Sequence, residues 1–318
     1  GGTWNLFANT LRDQGIEVRF VDPADPEAFR RATDARTRAY YAETLPNPKL
    51  EVFPIAEVAA IGREFGIPLI MDNTAAPLLC RPLEHGAAIV VYSATKYLGG
   101  HGTSIGGLIV DGGNFDWEAA GDRQPALNSP DPSYHGAMWT QAVKPLGPVA
   151  YTIRARTVLR RDLGAAISPF NAFQILQGVE TVALRMPRHC ENALAVAQFL
   201  SDHPKVSWVA YPGLDSSSEK AKADKYLPQG AGALVGFGIK GGLKAGKTFI
   251  DSLSLISHLA NIGDARTLAI HPASTTHQQL SAKEREAAGV TEDFIRLSIG
   301  IEDARDIIED LDRALARV

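Results

Sequence analysis

The first third of the chain alternates apolar strand patterns with helix patterns, and this alternation most restricts the possible fold. Residues 55–65 place apolar side chains at helical spacing and stop at Gly66. Residues 67–71 and 87–92 form two short, almost wholly apolar runs, as parallel strands covered on both faces do. The order of strand, helix and strand therefore predicts an α/β domain with a mostly parallel, doubly wound sheet.

Further segments extend this pattern through the first half of the chain. We expect additional strands at residues 16–21, 37–41 and 105–110 and a short helix at residues 26–32. From about residue 147 this alternation of strand and helix patterns stops. Residues 148–163 predict one long helix, and residues 174–200 predict two helices broken near Met186-Pro187.

The last third of the chain predicts a smaller α+β domain. Strand patterns cover residues 206–210 and 233–239, and helix patterns cover residues 243–253 and 303–316. We therefore expect a large domain at residues 1–147, connecting helices at residues 148–204 and a small domain at residues 205–318.

Composition excludes several classes of protein. The chain is 45% apolar and 21% charged, with a net charge of −4, so a basic nucleic-acid surface is not expected. No apolar run approaches the roughly 18–20 residues of a membrane helix.

Cys80 and Cys190 form no disulfide framework and suit a reducing compartment, so we expect a cytoplasmic location. His271 and His277 lack a third ligand, so no metal site is expected.

A dense run of polar residues and glycines, residues 93–102, directly follows the apolar run at 87–92. Ser93 and Thr95 alternate with Ala94, so both hydroxyls can lie on one face and bind an oxyanion beside the Lys96 ammonium. Ligands of open α/β sheets bind at the carboxyl ends of the strands. On this spacing alone, a solvated lysine on a glycine-rich turn explains the segment at least as well.

Asp72 stands at the end of the other apolar run, 24 residues before Lys96. A carboxylate and a lysine that follow two parallel strands face the same crevice, and this pair suits pyridoxal phosphate. The lysine forms a Schiff base with the aldehyde, and the carboxylate keeps the ring nitrogen protonated. The alternative for Asp72 is a helix cap or a turn, because Asp-Asn-Thr is favourable capping chemistry.

Residues 93–101 resemble the lysine motif of the Cys/Met-metabolism pyridoxal-phosphate enzymes, which adopt the fold-type I, aminotransferase-like architecture. Further segments agree with that family in order and spacing, at residues 1–3, 43–48, 71–74 and 271–277. The resemblance covers essentially all 318 residues. Within the family, residues 132–136, 261–265 and 271–277 look most like those of O-acetylhomoserine sulfhydrylases.

The resemblance assigns four residues to the cofactor. Lys96 carries pyridoxal phosphate and moves protons at the substrate's Cα and the cofactor's C4′. Asp72 pairs with the ring nitrogen, and Ser93 and Thr95 bind the phosphate.

Three residues are assigned to the substrate in the same way. Arg296 binds the α-carboxylate, because a planar guanidinium can engage both carboxylate oxygens. Asn47 lies near the substrate carboxylate and the cofactor's phenolic oxygen, and Asn261 is the third expected contact. Without the resemblance, Arg296 is expected to be an exposed strand residue.

The activity that the resemblance implies is a γ-replacement: O-acetyl-L-homoserine and sulfide, or a thiol, give L-homocysteine, or methionine, and acetate. The alternatives are a cystathionine γ-synthase or a γ-elimination of the methionine γ-lyase type. Gly2, where methionine γ-lyases have a Cys, argues against the latter. A cofactor-free scaffold on a decayed enzyme fold is the alternative from another class.

The resemblance also implies partners and a longer chain. Its members form homotetramers in which active sites are shared across a dimer. The family's ring-stacking Tyr, a phosphate-binding loop and a Tyr-x-Arg lent by the neighbouring subunit all lie upstream of Gly1. We therefore expect the protein to extend upstream of this sequence.

Overall fold

The computed structural model describes residues 2–276 and 289–318, and two β-sheets organise them; Gly1 and His277 lie outside the described residues. The first sheet has the strand order β1 (Tyr40–Glu43), β2 (Leu69–Asp72), β3 (Ile89–Ser93) and β4 (Gly107–Asp111). Strands β1 to β3 run parallel, and β4 is antiparallel to β3. The predicted mostly parallel α/β sheet is thereby confirmed.

The second sheet is formed by the last third of the chain. Its strands are β5 (Val206–Ala210), β6 (Leu234–Ile239), β7 (Ser257–His258), β8 (Leu268–Ile270) and β9 (Phe294–Ser298). Their order is β5-β6-β9-β8-β7, and only the β7–β8 pair is parallel among these strands. This is the α+β arrangement that the sequence predicts.

Six helices of seven or more residues lie in the described part of the chain. They are α1 (Pro26–Ala32), α2 (Ile55–Phe65), α3 (Pro169–Asp202), α4 (Lys220–Tyr226), α5 (Gly242–Ser252) and α6 (Ala304–Leu315). Helix α1 begins where the Asp25 side chain accepts the Glu27 N–H, and α2 ends at Gly66, whose φ of 66° suits glycine.

Shorter helical segments connect these elements. They are Gly2–Asn5, Leu6–Thr10, Leu11–Asp13, Pro82–His85, Gly121–Arg123, Pro125–Asn128, Pro132–Tyr134, Trp139–Ala142, Lys144–Leu146, Ala150–Arg154, Ala155–Arg160, Arg161–Leu163 and Pro272–Ser274. The three that run from 150 to 163 form one continuous stretch, so the helix predicted at 148–163 is confirmed in extent. None of the described helices is long and apolar enough to cross a bilayer.

One apolar cluster joins the two sheets. It includes Leu69 and Met71 of β2, Met186 of α3, and Leu234 and Phe237 of β6, each no more than 3% exposed. Helix α3 contacts β5 and β6 directly. Because the core is shared in this way, α3 helps to fix the positions of the two sheets. The predicted domain boundaries at residues 147 and 204 stay predictions.

The strand predicted at residues 16–21 is wrong. The segment is not part of either sheet, and Ile16 and Phe20 are about half exposed, at 48% and 57%. Its alternation of apolar and polar residues is real, but among the described residues β1 pairs only with β2. A strand pattern without a neighbouring backbone to bond cannot form a strand.

The helix break predicted near Met186-Pro187 is also wrong, because α3 continues through Pro187. An interior proline costs about 3 kcal/mol, since it removes one hydrogen bond and crowds the preceding turn. Burial of Val182 and Met186 before it, and of Val196 and Leu200 after it, favours one continuous helix. Each such side chain contributes about 1.5–3 kcal/mol, so together they outweigh the proline.

Candidate active site

The candidate site lies at the carboxyl ends of β1, β2 and β3. Glu43, the last residue of β1, is opposite Asp72, the last residue of β2, and Asp72 is opposite Val91 of β3. Lys96 follows the end of β3 by three residues. Parallel strands therefore bring Asp72 and the Lys96 segment to one edge of the sheet, as expected from their sequence positions.

Both oxygens of the Asp72 carboxylate accept hydrogen bonds. Oδ1 accepts the Thr74 N–H at 2.9 Å, which is the turn that the capping interpretation predicts. Oδ2 accepts the Tyr41 hydroxyl at 3.1 Å. Burial and the neighbouring Asp72 raise the pKa of Tyr41, so Tyr41 stays a donor at neutral pH. Asp72 is thus both a turn residue and a carboxylate fixed at the edge of the sheet.

Lys96 is half-buried, and its Nζ donates to the Asn261 side-chain oxygen. Burial lowers the pKa of Lys96, and the charge of Arg296 lowers it further. In the described ranges no carboxylate forms a salt bridge with this amine. An amine with a lowered pKa is neutral more of the time, and so it is a better nucleophile and proton acceptor.

Arg296 projects from the centre of β9 and is only 7% exposed, contrary to the exposed strand position expected without the resemblance. Its Nη2 donates to the backbone carbonyl of Asn261 at 2.8 Å, and Nη1 lies 3.5 Å from the Asn47 side-chain oxygen. Burial lowers its pKa to about 10. Its buried Nε has no hydrogen-bond partner among the described residues, so the guanidinium keeps a donor for a ligand.

Four predicted site residues from distant parts of the sequence therefore meet: Asn47, Lys96, Asn261 and Arg296. Ser93 and Thr95 lie on the same segment as Lys96. The Thr74 hydroxyl accepts the Ser93 N–H at 2.8 Å. The Thr95 hydroxyl accepts the Gly106 N–H at 3.1 Å, and so it fixes the glycine segment. The phosphate roles of Ser93 and Thr95 stay predictions.

Sequence reasoning missed Tyr41 as a partner of Asp72. It noted Glu43 as part of a motif, but not its pairing with Asp72. The signal was available, because Tyr41 and Glu43 are two residues apart and lie on the same face of β1. The register of β1 against β2, which places Glu43 beside Asp72, could not be read from the sequence.

The remaining titratable candidates have structural surroundings. Cys80 and Cys190 are buried free thiols, and burial raises their pKa values to about 12 and about 11. His271 is buried, its Nε2 donates to the Glu292 carbonyl at 2.8 Å, and burial lowers its pKa. Within residues 2–276 and 289–318 no group of three potential metal ligands is present.

Comparison with known proteins gives the family. Residues 1–316 match the model of the Cys/Met metabolism PLP-dependent enzymes, where PLP is pyridoxal phosphate. The chain belongs to this family.

Relatives of this PLP-dependent enzyme have consistent names. An O-acetyl-L-homoserine sulfhydrylase of Leptospira meyeri is 55% identical over 325 residues, which covers 100% of this chain and 73% of the relative. A homocysteine synthase of Schizosaccharomyces pombe is 47% identical over 317 residues, covering 99% and 73%.

A solved structure is also similar to this PLP-dependent enzyme. The crystal structure of a protein described as an O-acetylhomoserine (thiol)-lyase, from Campylobacter jejuni, has a TM-score of 0.92 and 39% sequence identity. The match covers 99% of this chain and 75% of that one, and that structure contains a pyridoxyl-lysine phosphate. The fold-type I architecture is thereby confirmed.

The donor set of the site fits pyridoxal phosphate. A half-buried amine with a lowered pKa and a carboxylate fixed by two hydrogen bonds lie at the same edge of one sheet. The buried, unpartnered Nε of Arg296 provides a donor for an anionic ligand group. These are the three chemical groups that an amino-acid complex of this cofactor needs: an amine, a carboxylate and a cation.

Glu43 gives the site a testable pH dependence. Burial and the adjacent Asp72 raise its pKa from 4.5 to about 7, so the folded state holds this proton more tightly than the unfolded state. Stability from this group is therefore present below pH 4.5 and is lost as the pH rises through 7. The side chain in Glu43→Gln is always neutral. As the pH rises from 5 to 8, the unfolding free energy of this variant should therefore increase relative to that of wild type by on the order of 2 kcal/mol.

Urea unfolding across this pH range measures the difference between the two profiles. Glu180→Gln, at an exposed position on α3, is the matched control and should follow the wild-type profile. Parallel profiles for Glu43→Gln and wild type would show that Glu43 ionises normally in the folded state.

Proposed function

We propose that this enzyme catalyses γ-replacement on O-acetyl-L-homoserine. The Cγ–O bond of the substrate breaks and acetate leaves, while sulfide forms the new Cγ–S bond and gives L-homocysteine. A thiol such as methanethiol in place of sulfide gives methionine. The names of the relatives, with 44–55% identity across the chain, support this choice of substrate.

The observation that carries the proposal is the sharing of Asn261. Its side-chain oxygen accepts a hydrogen bond from the Lys96 amine, and its backbone carbonyl accepts one from the Arg296 guanidinium. An amino acid whose α-carboxylate binds Arg296 therefore has its Cα within reach of Lys96. This is the arrangement that proton removal at Cα requires.

The side chains of this protein have separate roles toward the substrate. Arg296 binds the α-carboxylate through its unpartnered Nε and a neighbouring N–H, and the Asn47 side-chain oxygen, 3.5 Å from Nη1, helps to orient the guanidinium. The Lys96 amine accepts the Cα proton, and burial and the charge of Arg296, which lower its pKa, favour the neutral amine that can accept it.

On the cofactor side, Asp72 would hold a proton on the ring nitrogen, and its bonds to Tyr41 and Thr74 keep the carboxylate in place. Ser93 and Thr95 would bind the phosphate. When bound, pyridoxal phosphate supplies an electron sink that stabilises negative charge at the substrate's Cα.

The proposal extends to assembly and location. We propose a homotetramer with active sites shared across a dimer, in the cytoplasm, acting on a small amino acid and sulfide or a thiol. The buried, unpaired state of Cys80 and Cys190 supports a reducing compartment. Sedimentation of the purified protein measures the assembly.

A steady-state assay of homocysteine formation tests the substrate. With sulfide present, we expect kcat/KM for O-acetyl-L-homoserine to exceed that for O-succinyl-L-homoserine by at least about tenfold, which is about 1.4 kcal/mol of transition-state preference.

Each alternative has its own product in this assay. Faster formation of cystathionine from cysteine than of homocysteine from sulfide would identify a cystathionine γ-synthase. Release of a 2-oxo acid from methionine alone would identify a γ-lyase. A colourless protein that makes none of these products would be a scaffold.

Arg296 should set the affinity for the amino-acid substrate. Arg296→Lys keeps the charge but loses the planar pair of donors, and we expect KM to rise by at least about tenfold. Arg296→Ala should raise it further. Both variants should keep the visible absorbance of the bound cofactor, because the arginine contacts the substrate.

Arg305→Lys is the control, because Arg305 lies in the first turn of α6 with 89% of its side chain exposed. It should leave KM unchanged. Loss of the cofactor by Arg296→Lys, with an unchanged KM in the remaining loaded enzyme, would contradict the proposed role and make Arg296 structural.

A further inference from the structure

Three buried polar residues form a stripe along one face of α3: Arg185, His189 and Asn192, which are 5%, 0% and 1% exposed. Their spacing of four and then three residues places them on the same side of the helix. Buried polar side chains on a helix that otherwise packs apolar groups are costly unless each is hydrogen-bonded. The bonds they make show what the stripe holds.

Arg185 binds the backbone that directly follows Lys96. Its Nη1 donates to the Tyr97 carbonyl at 2.8 Å, and its Nη2 donates to the Leu98 carbonyl at 3.1 Å and to the Gly178 carbonyl at 2.7 Å. Its Nε donates to the Thr181 hydroxyl at 3.0 Å. In the described part of the chain no carboxylate pairs with it, so oxygen dipoles alone stabilise this buried cation.

The fit between Arg185 and the lysine segment is close. A Cβ built on Gly100, whose φ is 77°, would lie 2.6 Å from Nη1 of Arg185. A Cβ built on Gly178 would lie 2.1 Å from the Gly99 carbonyl oxygen. Glycine at both positions therefore lets α3 approach the segment closely enough for the guanidinium to reach its carbonyls.

The other two residues of the stripe bind the backbone that follows β9, the strand that carries Arg296. His189 Nδ1 donates to the Ile299 carbonyl at 2.6 Å. Burial lowers the pKa of His189 to about 4, so the ring is neutral at pH 7. Asn192 donates to the Gly300 carbonyl at 3.0 Å and to the Glu302 carbonyl at 2.8 Å.

One helix thus holds both segments that supply the reacting and binding groups. Arg185 and His189 are four residues apart, or about 6 Å along the helix axis. A further backbone bond, from the Ala265 N–H to the Gly100 carbonyl at 2.8 Å, joins the lysine segment to the loop that contains Asn261.

We propose that Arg185 is a positioning residue for Lys96: its guanidinium holds the backbone of Tyr97 and Leu98, so that Nζ lies at a fixed place relative to Arg296. His189 and Asn192 hold the Arg296 side of the same arrangement. This inference rests on the proposed function in that it takes Lys96 as the residue that carries the cofactor and moves the proton.

Arg185→Lys tests the proposal, because an ammonium keeps the charge but cannot bond three carbonyls that the fork spans. In the loaded enzyme we expect kcat to fall by at least about tenfold with KM within about twofold, since substrate binding depends on Arg296. Without substrate, the pH midpoint of the cofactor's visible absorbance should rise by at least about 0.5 unit, because a displaced Lys96 is more open to water, which favours the charged form.

Arg188→Lys is the matched control. Arg188 lies on the same helix three residues further on and is exposed, so kcat and the absorbance midpoint should equal those of wild type. A purely structural role for Arg185 predicts a lower melting temperature with an unchanged absorbance midpoint and kcat, and that result would overturn the proposal.

Thr181→Val decides the question if Arg185→Lys does not fold. At an exposed position, it removes the acceptor of the Arg185 Nε together with the bond that the same hydroxyl donates to the Gly178 carbonyl at 3.1 Å. We expect kcat to fall by about two- to fivefold, with a smaller upward shift of the absorbance midpoint. Wild-type values for both would overturn the proposal.

The absorbance titration separates this inference from the proposed function. It needs no substrate, so a midpoint shift in an enzyme that makes no homocysteine would overturn the substrate assignment alone. If the wild type is active but Arg185→Lys leaves the pH midpoint of the absorbance unchanged, only the positioning role is overturned.

Discussion

Two positively charged side chains, Lys96 and Arg296, meet at a single residue, Asn261, and among the described residues no carboxylate pairs with either. Burying such groups is unfavourable: burial lowers the pKa of both side chains, and the charge of Arg296 lowers the pKa of Lys96 further. The protein holds them there with carbonyl and amide oxygens. This excess of positive charge favours anionic groups, such as an amino-acid carboxylate or the phosphate of a cofactor.

The rest of the fold positions this pair from two sides. The parallel sheet brings Asp72 and the Lys96 segment to one edge, and the second sheet carries Arg296 on β9. Helix α3 lies between them and binds the backbone after Lys96 and after Arg296. Because the same helix also contributes to the shared apolar core, packing and site geometry are linked, and a change that moves α3 should move both segments.

The sequence predicted most of this architecture, and the reasons for its errors are physical. Helix α2 and strand β5 have the predicted bounds, because their apolar spacing and Gly66 are local signals. The strand at 16–21 failed because a strand depends on a neighbour that its own residues do not encode. The break at Pro187 failed because burial of apolar side chains across the proline outweighs the local penalty.

The site was predictable to the same extent. Lys96 and Asp72 follow apolar strands and carry recognisable chemistry, so their position at one edge of the sheet followed from the sequence. The contacts among Asn47, Asn261 and Arg296 depend on tertiary structure, since these residues are separated by tens to hundreds of positions. Arg185 was hidden because its partners, apart from Thr181 on the same helix, are backbone carbonyls, which leave no signal in side-chain patterns.

Reduction of the loaded enzyme with borohydride, followed by peptide mapping, tests the central claim most directly. It fixes the cofactor irreversibly to the lysine that carries it, independently of substrate and of turnover. If the geometry at the end of β3 is the active site, the pyridoxyl group is found on Lys96. A pyridoxyl group on Lys49, Lys144 or any other lysine would contradict this account of the site.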